Sequence, residues 1–418
     1  MTKHQIDPRQ FNDSDLSRHL LAARGTQWMR GNRGDPYALI LRDQGIDPHT
    51  LYQGMRGRPL LRQSESDVWV TASHEAGTEI LGDARLTPGG AVAGAGRRPR
   101  RQRVFGIDSG TSLKHVLSVD DSLLARDRAG YQELRERTDG VLGPAALAGH
   151  EDAARRAFTG TLDRVDGDFD LMADFARVAP VAFFAELLGL PEGERASFAE
   201  LVLGAGGALD ALLCPPTLGM TRRLVDSYDG LRELLSRTLG DGPSAEAHLL
   251  ALAIGVEITS NLICNGASAL LDNPAQWSLL HENPTPAVVA ATVEETLRYA
   301  PPVRMVSRIA NEDLRIAGET LGKGHQVVVL VDAANRDPEV WADPEEFRVD
   351  RPERTGHLSL TDGTPAGFVA PVVRMLTGVG LETLAAGRLR GLRTNGEPVH
   401  RMRSPVVHGM ARYPVAMS

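Results

Sequence analysis

The apolar residues in the first three quarters of the chain recur mainly at helical spacing. Residues 13–30 are the first example, because Leu16, Leu20, Leu21 and Trp28 follow one another at roughly helical intervals. The same periodicity predicts further helices at residues 74–81, 170–188, 224–239, 245–271, 285–299 and 369–392. The chain is therefore predicted to be rich in helix.

Two short runs depart from this spacing and favour strands. Residues 68–70 read VWV, and residues 326–330 read QVVVL, a continuously apolar run that is typical of a buried strand. Residues 89–103 read GGAVAGAGRRPRRQR without any periodicity, which predicts an exposed loop. No internal repeat or Pro-rich linker divides the chain. We predict a mixed architecture, mainly α with smaller β-sheets.

Composition and charge exclude several classes of protein. The 418 residues are 42% hydrophobic and 24% charged, as in ordinary globular proteins. The formal net charge of -8 argues against nucleic acid as the main partner. Two cysteines are too few for a disulfide framework or a cysteine-rich metal site. Because there is neither an apolar leader nor an apolar run of about 18 residues, we expect a cytoplasmic protein without a membrane segment.

Five stretches resemble segments of the cytochrome P-450 family, in the same order and at similar spacing. They read FDLMADFARVAPVAFFAELLGLPEGER, LLALAIGVEITSNL, VEETLRYAPPVRMVSRIA, ANRDPEVWADPEEFRVDRP and RSPVVHGMARYPV. The match extends from about Arg58 to the C-terminus. The resemblance implies a cytochrome P-450-like α+β fold in a single domain of residues 58–418.

One of these stretches contains an E-x-x-R pair, Glu295 and Arg298. Residues three apart lie on one face of a helix, so the two side chains can pair. In the family, an arginine of the later segment closes a buried network around this pair, and Arg351 is the candidate here. We predict that Glu295, Arg298 and Arg351 form a structural network without a catalytic role. The alternative is an exposed pair of little energetic value.

The stretch at the family's haem-binding loop lacks the residue that binds the iron. In the family the loop reads F-G-x-G-x-H-x-C-x-G, and its cysteine thiolate is the axial haem ligand. Here residues 360–369 read LTDGTPAGFV, which puts Gly367 at the ligand position and Pro365 at the basic position. Cys214 and Cys264 lie far upstream in the helical half of the chain. The resemblance therefore implies a fold without haem, and we expect no other cofactor.

Two further features of the resemblance indicate a loss of oxygen chemistry. The family has an acid and an alcohol, A-G-x-E-T, on its central helix, whereas here Glu257 is followed by Ile258. Isoleucine cannot relay a proton, and Thr259 is turned by about 100° around the helix axis. Leu124 stands where the family often has a histidine that contacts a haem propionate. Arg308 stands at another propionate-binding position of the family, and the alternative interpretation is a remnant cation that now pairs with a carboxylate.

Other residues could in principle bind iron or a nucleotide. His357, Met375, His400 and His408 follow the E-x-x-R segment, but no pattern of supporting residues surrounds them. No H-E-x-x-H motif and no paired spacing of His with Cys indicates a metal site, so we expect no metal. The arginines of residues 97–103 could bind an acidic partner or a nucleotide diphosphate, although a solvated loop is the simpler interpretation.

The N-terminal segment resembles one particular group within the cytochrome P-450 family. Residues 27–37 read QWMRGNRGDPY, which resembles the W-x-x-G-N-x-G-D-P-Y segment of cysteine-less cytochrome P-450 relatives known as auxiliary proteins. Residues 1–57 are therefore a candidate partner-binding helix and turn, with Leu20, Trp28 and Tyr37 as anchors. The alternative is that the apolar residues of this helix pack on the chain's own body.

The resemblance to the auxiliary group implies a function. Those proteins form complexes with glycosyltransferases that move a deoxysugar from a dTDP donor to a macrolide or an anthracycline. We therefore expect a non-catalytic protein that binds, stabilises and activates such a glycosyltransferase in macrolide-type antibiotic biosynthesis. Two alternatives stay open: a haem monooxygenase with unusual iron ligation, and a small-molecule binding protein that uses the vacated pocket.

Overall fold

Helices make up most of the protein. The structure, a computed structural model, describes residues 8–43, 48–65, 67–88, 103–104, 107–108, 121–124, 126–352, 356–386 and 391–417. A 3-10 turn and two π-helical stretches cover Pro8–Gln10, Leu171–Ala176 and Ala251–Gly255. The α-helices are α1 (Asp13–Asn32), α2 (Pro36–Arg42), α3 (Pro48–Met55), α4 (His74–Gly82), α5 (Asp121–Leu124), α6 (Arg128–Leu142), α7 (Pro144–Ala148), α8 (Glu151–Leu162), α9 (Val178–Leu187), α10 (Glu192–Ala205), α11 (Ala208–Ala211), α12 (Leu218–Leu239), α13 (Pro243–Leu250), α14 (Val256–Leu271), α15 (Pro274–Glu282), α16 (Pro286–Tyr299), α17 (Val331–Ala334), α18 (Pro365–Phe368) and α19 (Ala370–Ala385).

The strands are short and form small sheets. They are β1 (Arg62–Gln63), β2 (Val68–Thr71), β3 (Leu86–Thr87), β4 (Arg103–Val104), β5 (Ile107–Asp108), β6 (Phe169–Asp170), β7 (Met305–Ala310), β8 (Leu314–Ile316), β9 (Glu319–Leu321), β10 (Gln326–Leu330), β11 (Arg393–Thr394), β12 (Val399–His400), β13 (Met410–Arg412) and β14 (Pro414–Ala416). The largest sheet has the order β1-β2-β10-β7-β3, and a three-stranded sheet has the order β11-β14-β6. Three hairpin-like pairs complete the set: β12 with β13, β4 with β5, and β8 with β9.

Strand β10 lies inside the five-stranded sheet, which explains its continuous apolar sequence. It pairs in parallel with β2, with Gln326 opposite Val68, and antiparallel with β7, with Gln326 opposite Ile309. All five of its residues are buried. In a strand that is paired on both edges and covered on both faces, no side chain points to solvent, so polar and apolar residues do not alternate along it. The strands predicted at residues 68–70 and 326–330 are confirmed.

A long central helix organises the main core. Helix α13, the π-helical stretch Ala251–Gly255 and α14 run on as one helix of 29 residues, Pro243–Leu271. Within the described part of the chain it is the one helix long and apolar enough to cross a membrane, but its apolar window is 100% buried inside the protein. Its side chains share one hydrophobic cluster with α1, α8, α9 and α19. This helix is the core of the fold.

Some helix boundaries differ from those that the spacing predicts. The helix expected at residues 369–392 is α19, which ends at Ala385 because Ala386 takes an extended conformation. Leu392 lies outside that helix. The helix expected at residues 170–188 consists of a π-helical stretch and α9, which meet at Arg177. Of the loop expected at residues 89–103, only Arg103 is among the described residues, so the arginines of 97–101 lie outside them.

The N-terminal helix is packed into the same core as the rest of the chain. Asn12 caps α1 by accepting a hydrogen bond from the Asp15 amide at 2.9 Å. Leu16 and Leu20 belong to the hydrophobic cluster that surrounds the central helix. Helix α1 therefore lies directly against the main body. The division of the chain into residues 1–57 and 58–418 stays a prediction.

Candidate functional site

The loop that leads into α19 contains Gly367, the residue that the family resemblance predicts at the haem-ligand position. Thr364 caps the short helix α18 by accepting a hydrogen bond from the Gly367 amide at 2.8 Å. The Gly367 carbonyl accepts a hydrogen bond from the Arg135 guanidinium at 2.9 Å. Both backbone polar groups of Gly367 therefore have partners, and the residue is buried.

This loop leaves no room for a side chain at Gly367. A Cβ atom added there would overlap the carbonyl oxygen of Thr361 and would lie 2.7 Å from its carbonyl carbon. It would also lie 3.0 Å from the backbone nitrogen of Asp362. Backbone atoms cannot rotate away from such an overlap as the end of a flexible side chain can. A cysteine does not fit this conformation, so the loop cannot supply a thiolate.

The space between the loop and the central helix is filled by side chains. A Cβ built on Gly255 would lie 3.5 Å from the Cβ of Val369, which puts the two segments in van der Waals contact. A flat macrocycle between two surfaces needs them about 7 Å apart, since each of its faces requires about 3.5 Å. Nearby, the ring of Phe368 lies 6.1 Å from that of Tyr131, centroid to centroid. The residues present do not fit a haem.

The acid of the central helix is engaged in an ion pair. Glu257 contacts Arg401 and accepts a hydrogen bond from the Asn261 amide group at 2.6 Å. Burial opposes the charge on Arg401, but the carboxylates of Glu257 and Asp210 outweigh it and raise the pKa of the guanidinium. Glu257 therefore joins the central helix to the C-terminal segment. Its side-chain contacts are with Arg401 and Asn261 of its own chain.

The neighbouring positions on this helix cannot relay protons. Ile258 is fully buried and carries no polar group. The Thr259 hydroxyl donates to the Gly255 carbonyl at 2.8 Å, one turn back along the helix. The hydroxyl is thus used within its own helix. The positions expected to have lost the proton relay contain no replacement for it.

Arg308 is a buried cation without a carboxylate partner among the described residues. It donates to the carbonyls of Ser307 at 3.1 Å and Gly363 at 3.3 Å. Burial lowers the pKa of its guanidinium to about 10, although nearby Tyr131 opposes this shift. Among the described residues, the contacts of Arg308 therefore do not support the alternative that it pairs with a carboxylate. Leu124, at the other expected propionate position, is a buried apolar residue of α5.

The E-x-x-R residues form a buried network with Arg351. Arg298 donates to both carboxylate oxygens of Glu295 at 2.8 Å, and Arg351 donates to Glu295 at 3.0 Å. Arg298 also donates to the carbonyls of Asn335, Pro344 and Glu346. The side chains of Glu295, Arg298 and Arg351 are 5%, 1% and 3% exposed. The structure thus brings these three residues together. They line a cavity of about 10 Å³, which has room for about one water molecule.

A second ion cluster fixes the beginning of the altered loop. Glu294 accepts from His357 at 2.9 Å and pairs with Arg374 of α19 at 2.6 Å. Burial alone would raise the pKa of Glu294, but the hydrogen bonds from His357 and Arg374 lower it well below its usual value. Glu294 thus fixes the orientation of the His357 ring through Nε2, while the buried Nδ1 has no hydrogen-bond partner among the described residues.

The remaining candidate iron ligands form no metal site. His400 and His408 stack on each other with ring centroids 5.4 Å apart, and burial lowers the pKa of His408 far below its usual value. Met375 is half-buried in α19. Cys214 and Cys264 are buried thiols whose pKa values are raised by burial. No cluster of three or more His, Cys, Asp or Glu side chains that could hold a metal ion occurs in the described part of the chain.

An open groove runs along the outer side of the altered loop. Its volume is 710 Å³, and its lining includes Gly367, Ala370 and Pro371 on one side and Leu147 of α7 on another. Charged residues at its rim pair with one another: Arg135 with Asp362 at 2.9 Å, and Arg155 with Glu382 at 2.6 Å. The groove therefore presents an apolar floor and a rim whose charges are largely neutralised.

Burial corrects part of the expectation for the N-terminal segment. Leu20 and Tyr37 are each 2% exposed, so their side chains pack in this chain's own core and cannot also contact a partner. Trp28 is 49% exposed, with the guanidinium of Arg42 over its ring at 4.3 Å. Sequence reasoning did not single out exposed Leu21 and Met29. The spacing of apolar residues does not show which of the adjacent residues Leu20 and Leu21 is buried and which is exposed.

Comparison with known proteins identifies the family. The family model of Cytochrome P-450 matches residues 285–368, which contain the E-x-x-R pair and the altered loop. The chain is also 30% identical over 402 residues to the Cytochrome P-450 family protein EryCII of Saccharopolyspora erythraea, with 96% of this chain and 98% of EryCII covered. This chain belongs to the cytochrome P-450 family.

Other members of the family support the fold over the whole length. Protein AknT of Streptomyces galilaeus is 40% identical over 439 residues, with 98% of this chain and 97% of AknT covered. A solved cytochrome P-450 structure from Mycobacterium smegmatis, with econazole bound, has a TM-score of 0.72 at 26% identity. The structural alignment covers 91% of this chain and 99% of the solved chain. The predicted fold, a cytochrome P-450-like α+β architecture, is confirmed.

Proposed function

We propose that this protein is a non-catalytic auxiliary protein that binds, stabilises and activates a deoxysugar glycosyltransferase in antibiotic biosynthesis. The observation that carries the proposal is the conformation of Gly367, where the backbone of Thr361 and Asp362 excludes any side chain. The chemistry of the family depends on a haem held by a cysteine thiolate at this position. A member that cannot hold the haem in this way keeps the fold as a rigid body for binding.

Two observations support a glycosyltransferase as the partner. Residues 27–37 match the W-x-x-G-N-x-G-D-P-Y segment of the auxiliary group. The 40% identity to AknT extends over 98% of this chain, including the N-terminal region that contains residues 27–37. A chain that is similar to another along its whole length offers comparable folded surfaces to a partner.

Activation without catalysis has a simple thermodynamic basis. A protein that binds only the folded, competent transferase stabilises that state by mass action. If the competent state is a minor one, binding raises its population and hence the rate of sugar transfer. No chemical group of this chain needs to touch the sugar donor or the acceptor.

The proposal includes a cytoplasmic location and neither a membrane nor a nucleic-acid partner. The net charge of -8 opposes attraction to a polyanion. The apolar central helix is accounted for by its burial in the core.

Co-expression with a deoxysugar glycosyltransferase from the same source organism tests the proposal. The two proteins should elute together on size-exclusion chromatography as a colourless complex, and transferase activity should fall when this chain is omitted. A haem-coloured monomer that leaves the transferase unaffected would sink the proposal and support a monooxygenase with unusual ligation.

The groove favours one second candidate function, small-molecule binding. Its volume of 710 Å³ lies within the range of about 300–1,000 Å³ that is usual for ligand sites. This site differs from the vacated haem space, which Val369 and Gly255 close. Equilibrium dialysis of the isolated chain with candidate aglycones tests the idea, and tight saturable binding without a transferase would favour it over the auxiliary role.

A further inference from the structure

Helix α1 has two apolar faces, and within the part of the chain that the structure describes one of them is buried and the other is exposed. The inner face is buried and includes Leu16, Leu20 and Ala23. The outer face exposes Leu21, Trp28 and Met29, which are 65%, 49% and 37% accessible to solvent. Large apolar side chains clustered on one exposed helix face are typical of an interaction surface.

The outer face has the spacing of a helix-packing seam. Leu21, Gly25, Trp28 and Asn32 stand at intervals of four, three and four residues. This alternation keeps residues in line along one side of a helix, as in helices that pack lengthwise against a partner helix. The face therefore suits a second helix better than a loop or a strand.

Gly25 gives an independent reason to expect close contact at this face. It lies in the middle of the 20-residue helix α1, where glycine is less stable than alanine. Beyond the helix's own neighbouring backbone, no heavy atom of the described residues lies within 4 Å of the place where its Cβ would be. Nothing within this part of the chain therefore explains the glycine. A glycine at an open helix surface allows another backbone to approach closely.

The charge of the same region is opposite in sign to that of the whole chain. Residues 16–34 contain four arginines and no aspartate or glutamate, whereas the net charge of the protein is -8. Carboxylates outside this range lie near two of them, Asp15 at 3.0 Å from Arg18 and Asp35 near Arg30, so Arg24 and Arg33 are the charges left for a partner. Arg24 lies close enough to Arg403 for their like charges to repel, and burial together with that repulsion lowers the pKa of Arg24. Arg42 adds a fifth positive charge above the ring of Trp28. An acidic partner surface would relieve this accumulation of charge.

We propose that the outer face of α1 docks a helix of the glycosyltransferase. The partner helix crosses α1 at Gly25, places apolar side chains against Leu21 and Trp28, and directs Asp or Glu side chains toward Arg24 and Arg33. This inference rests on the proposed function and names its contact surface. The proposed contact residues Leu21 and Trp28 are accessible in the free protein, whereas Leu20 and Tyr37 are buried.

Gly25→Leu separates binding from folding. Leucine is a better helix former than glycine and meets open space at this position, so the free variant should melt at a higher temperature than the natural chain. Its side chain would block close approach, so the dissociation constant for the co-expressed transferase should rise by about tenfold or more. Gly140→Leu is the matched control, since Gly140 lies in α6 with open space around its Cβ position and should leave binding within about twofold.

Trp28→Ala and Arg33→Glu complete the test. The first should weaken binding by about tenfold or more, since Trp is enriched among residues that dominate interface energies. Arg33→Glu should slow association with the transferase. This effect should become smaller as salt is added, because salt screens the interaction between exposed Arg33 and a carboxylate on the partner's surface. Calorimetric titration and stopped-flow mixing of the purified full-length proteins measure these effects.

The possible results separate the surface from the function. If the natural chain binds and activates the transferase and the Gly25→Leu and Trp28→Ala variants do so equally well, the docking surface is wrong and the auxiliary role stands. If the natural chain neither binds nor activates the transferase, both proposals fail. If the chain alone is a dimer that Trp28→Ala dissociates, the occupant is a second copy and the inference is overturned.

Discussion

The network around Glu295 and the loop around Gly367 lie within the same segment that matches the family model, but they differ in what they keep of the family pattern. Glu295 is fully paired, with Arg298 at 2.8 Å and Arg351 at 3.0 Å. The loop has glycine at the predicted ligand position, and the backbone of Thr361 leaves no room there for a side chain. The network binds carbonyls of its own chain, so its stability does not need a cofactor. Fold and cofactor chemistry are therefore separable in this family member.

Two buried arginines extend the comparison. Arg298 pairs with a carboxylate, whereas the hydrogen-bond partners of Arg308 among the described residues are the carbonyls of Ser307 and Gly363. A buried charge without a counter-ion loses hydration that carbonyl dipoles only partly replace. We therefore expect the first arginine to stabilise the fold and the second to weaken it.

The largest effect is expected from Glu295→Ala. This change leaves Arg298 and Arg351 buried without their counter-ion, which should lower the free energy of unfolding by about 3–5 kcal/mol. Urea denaturation followed by circular dichroism measures it. Glu186→Ala, at an exposed pair with Arg156, is the control and should have little effect. Equal losses in the two variants would contradict the buried network.

Gly367→Cys tests whether the loop has truly lost the ligand position. The added side chain overlaps the Thr361 carbonyl, so the free energy of unfolding should fall by about 2–3 kcal/mol. The variant should also show no haem absorbance when it is produced in a haem-replete host. Restored haem binding with unchanged stability would show that the loop is open enough for the family chemistry.

Glu294→Gln tests how much the ion cluster of Glu294, His357 and Arg374 stabilises the start of the loop. The folded-state pKa of Glu294 lies below its ordinary value of 4.5, so its stabilisation is present above about pH 4.5 and is lost as the pH falls further. At pH 7 the variant should be less stable by about 2 kcal/mol, and its stability should fall less steeply below pH 5.

Unfolding free energies of the natural chain and of Glu294→Gln, measured from pH 7 to pH 4, test this pH dependence. Glu192→Gln, at a carboxylate 88% exposed, is the control. Parallel pH curves for all three proteins would show that the contacts of Glu294 with His357 and Arg374 do not stabilise the loop.

The smallest effect, opposite in sign, is expected from Arg308→Met. Removing a buried cation that has no carboxylate partner among the described residues should raise the free energy of unfolding by about 1 kcal/mol. Arg298→Met provides the comparison and should destabilise the protein, since it strands Glu295. If both changes destabilise equally, Arg308 has stabilising contacts comparable to those of Arg298.

The sequence predicts the features that are local along the chain. The E-x-x-R pair depends on helical spacing, and the absence of a ligand at Gly367 depends on one residue. The closure of the haem space does not follow from sequence, because Gly255 and Val369 meet across more than a hundred residues. Likewise, Leu20 and Leu21 are identical in type, and only the packing of α1 against the core decides which of them is exposed.

The central claim, activation of a glycosyltransferase without haem, is tested most directly by one activity measurement. The chain is produced in a host that cannot make haem and is titrated into the purified glycosyltransferase with which it co-elutes, with sugar transfer as the readout. The account predicts saturable activation, equal to that by protein from a haem-replete host. Activation that requires haem-replete protein, or no activation by either preparation, would contradict it.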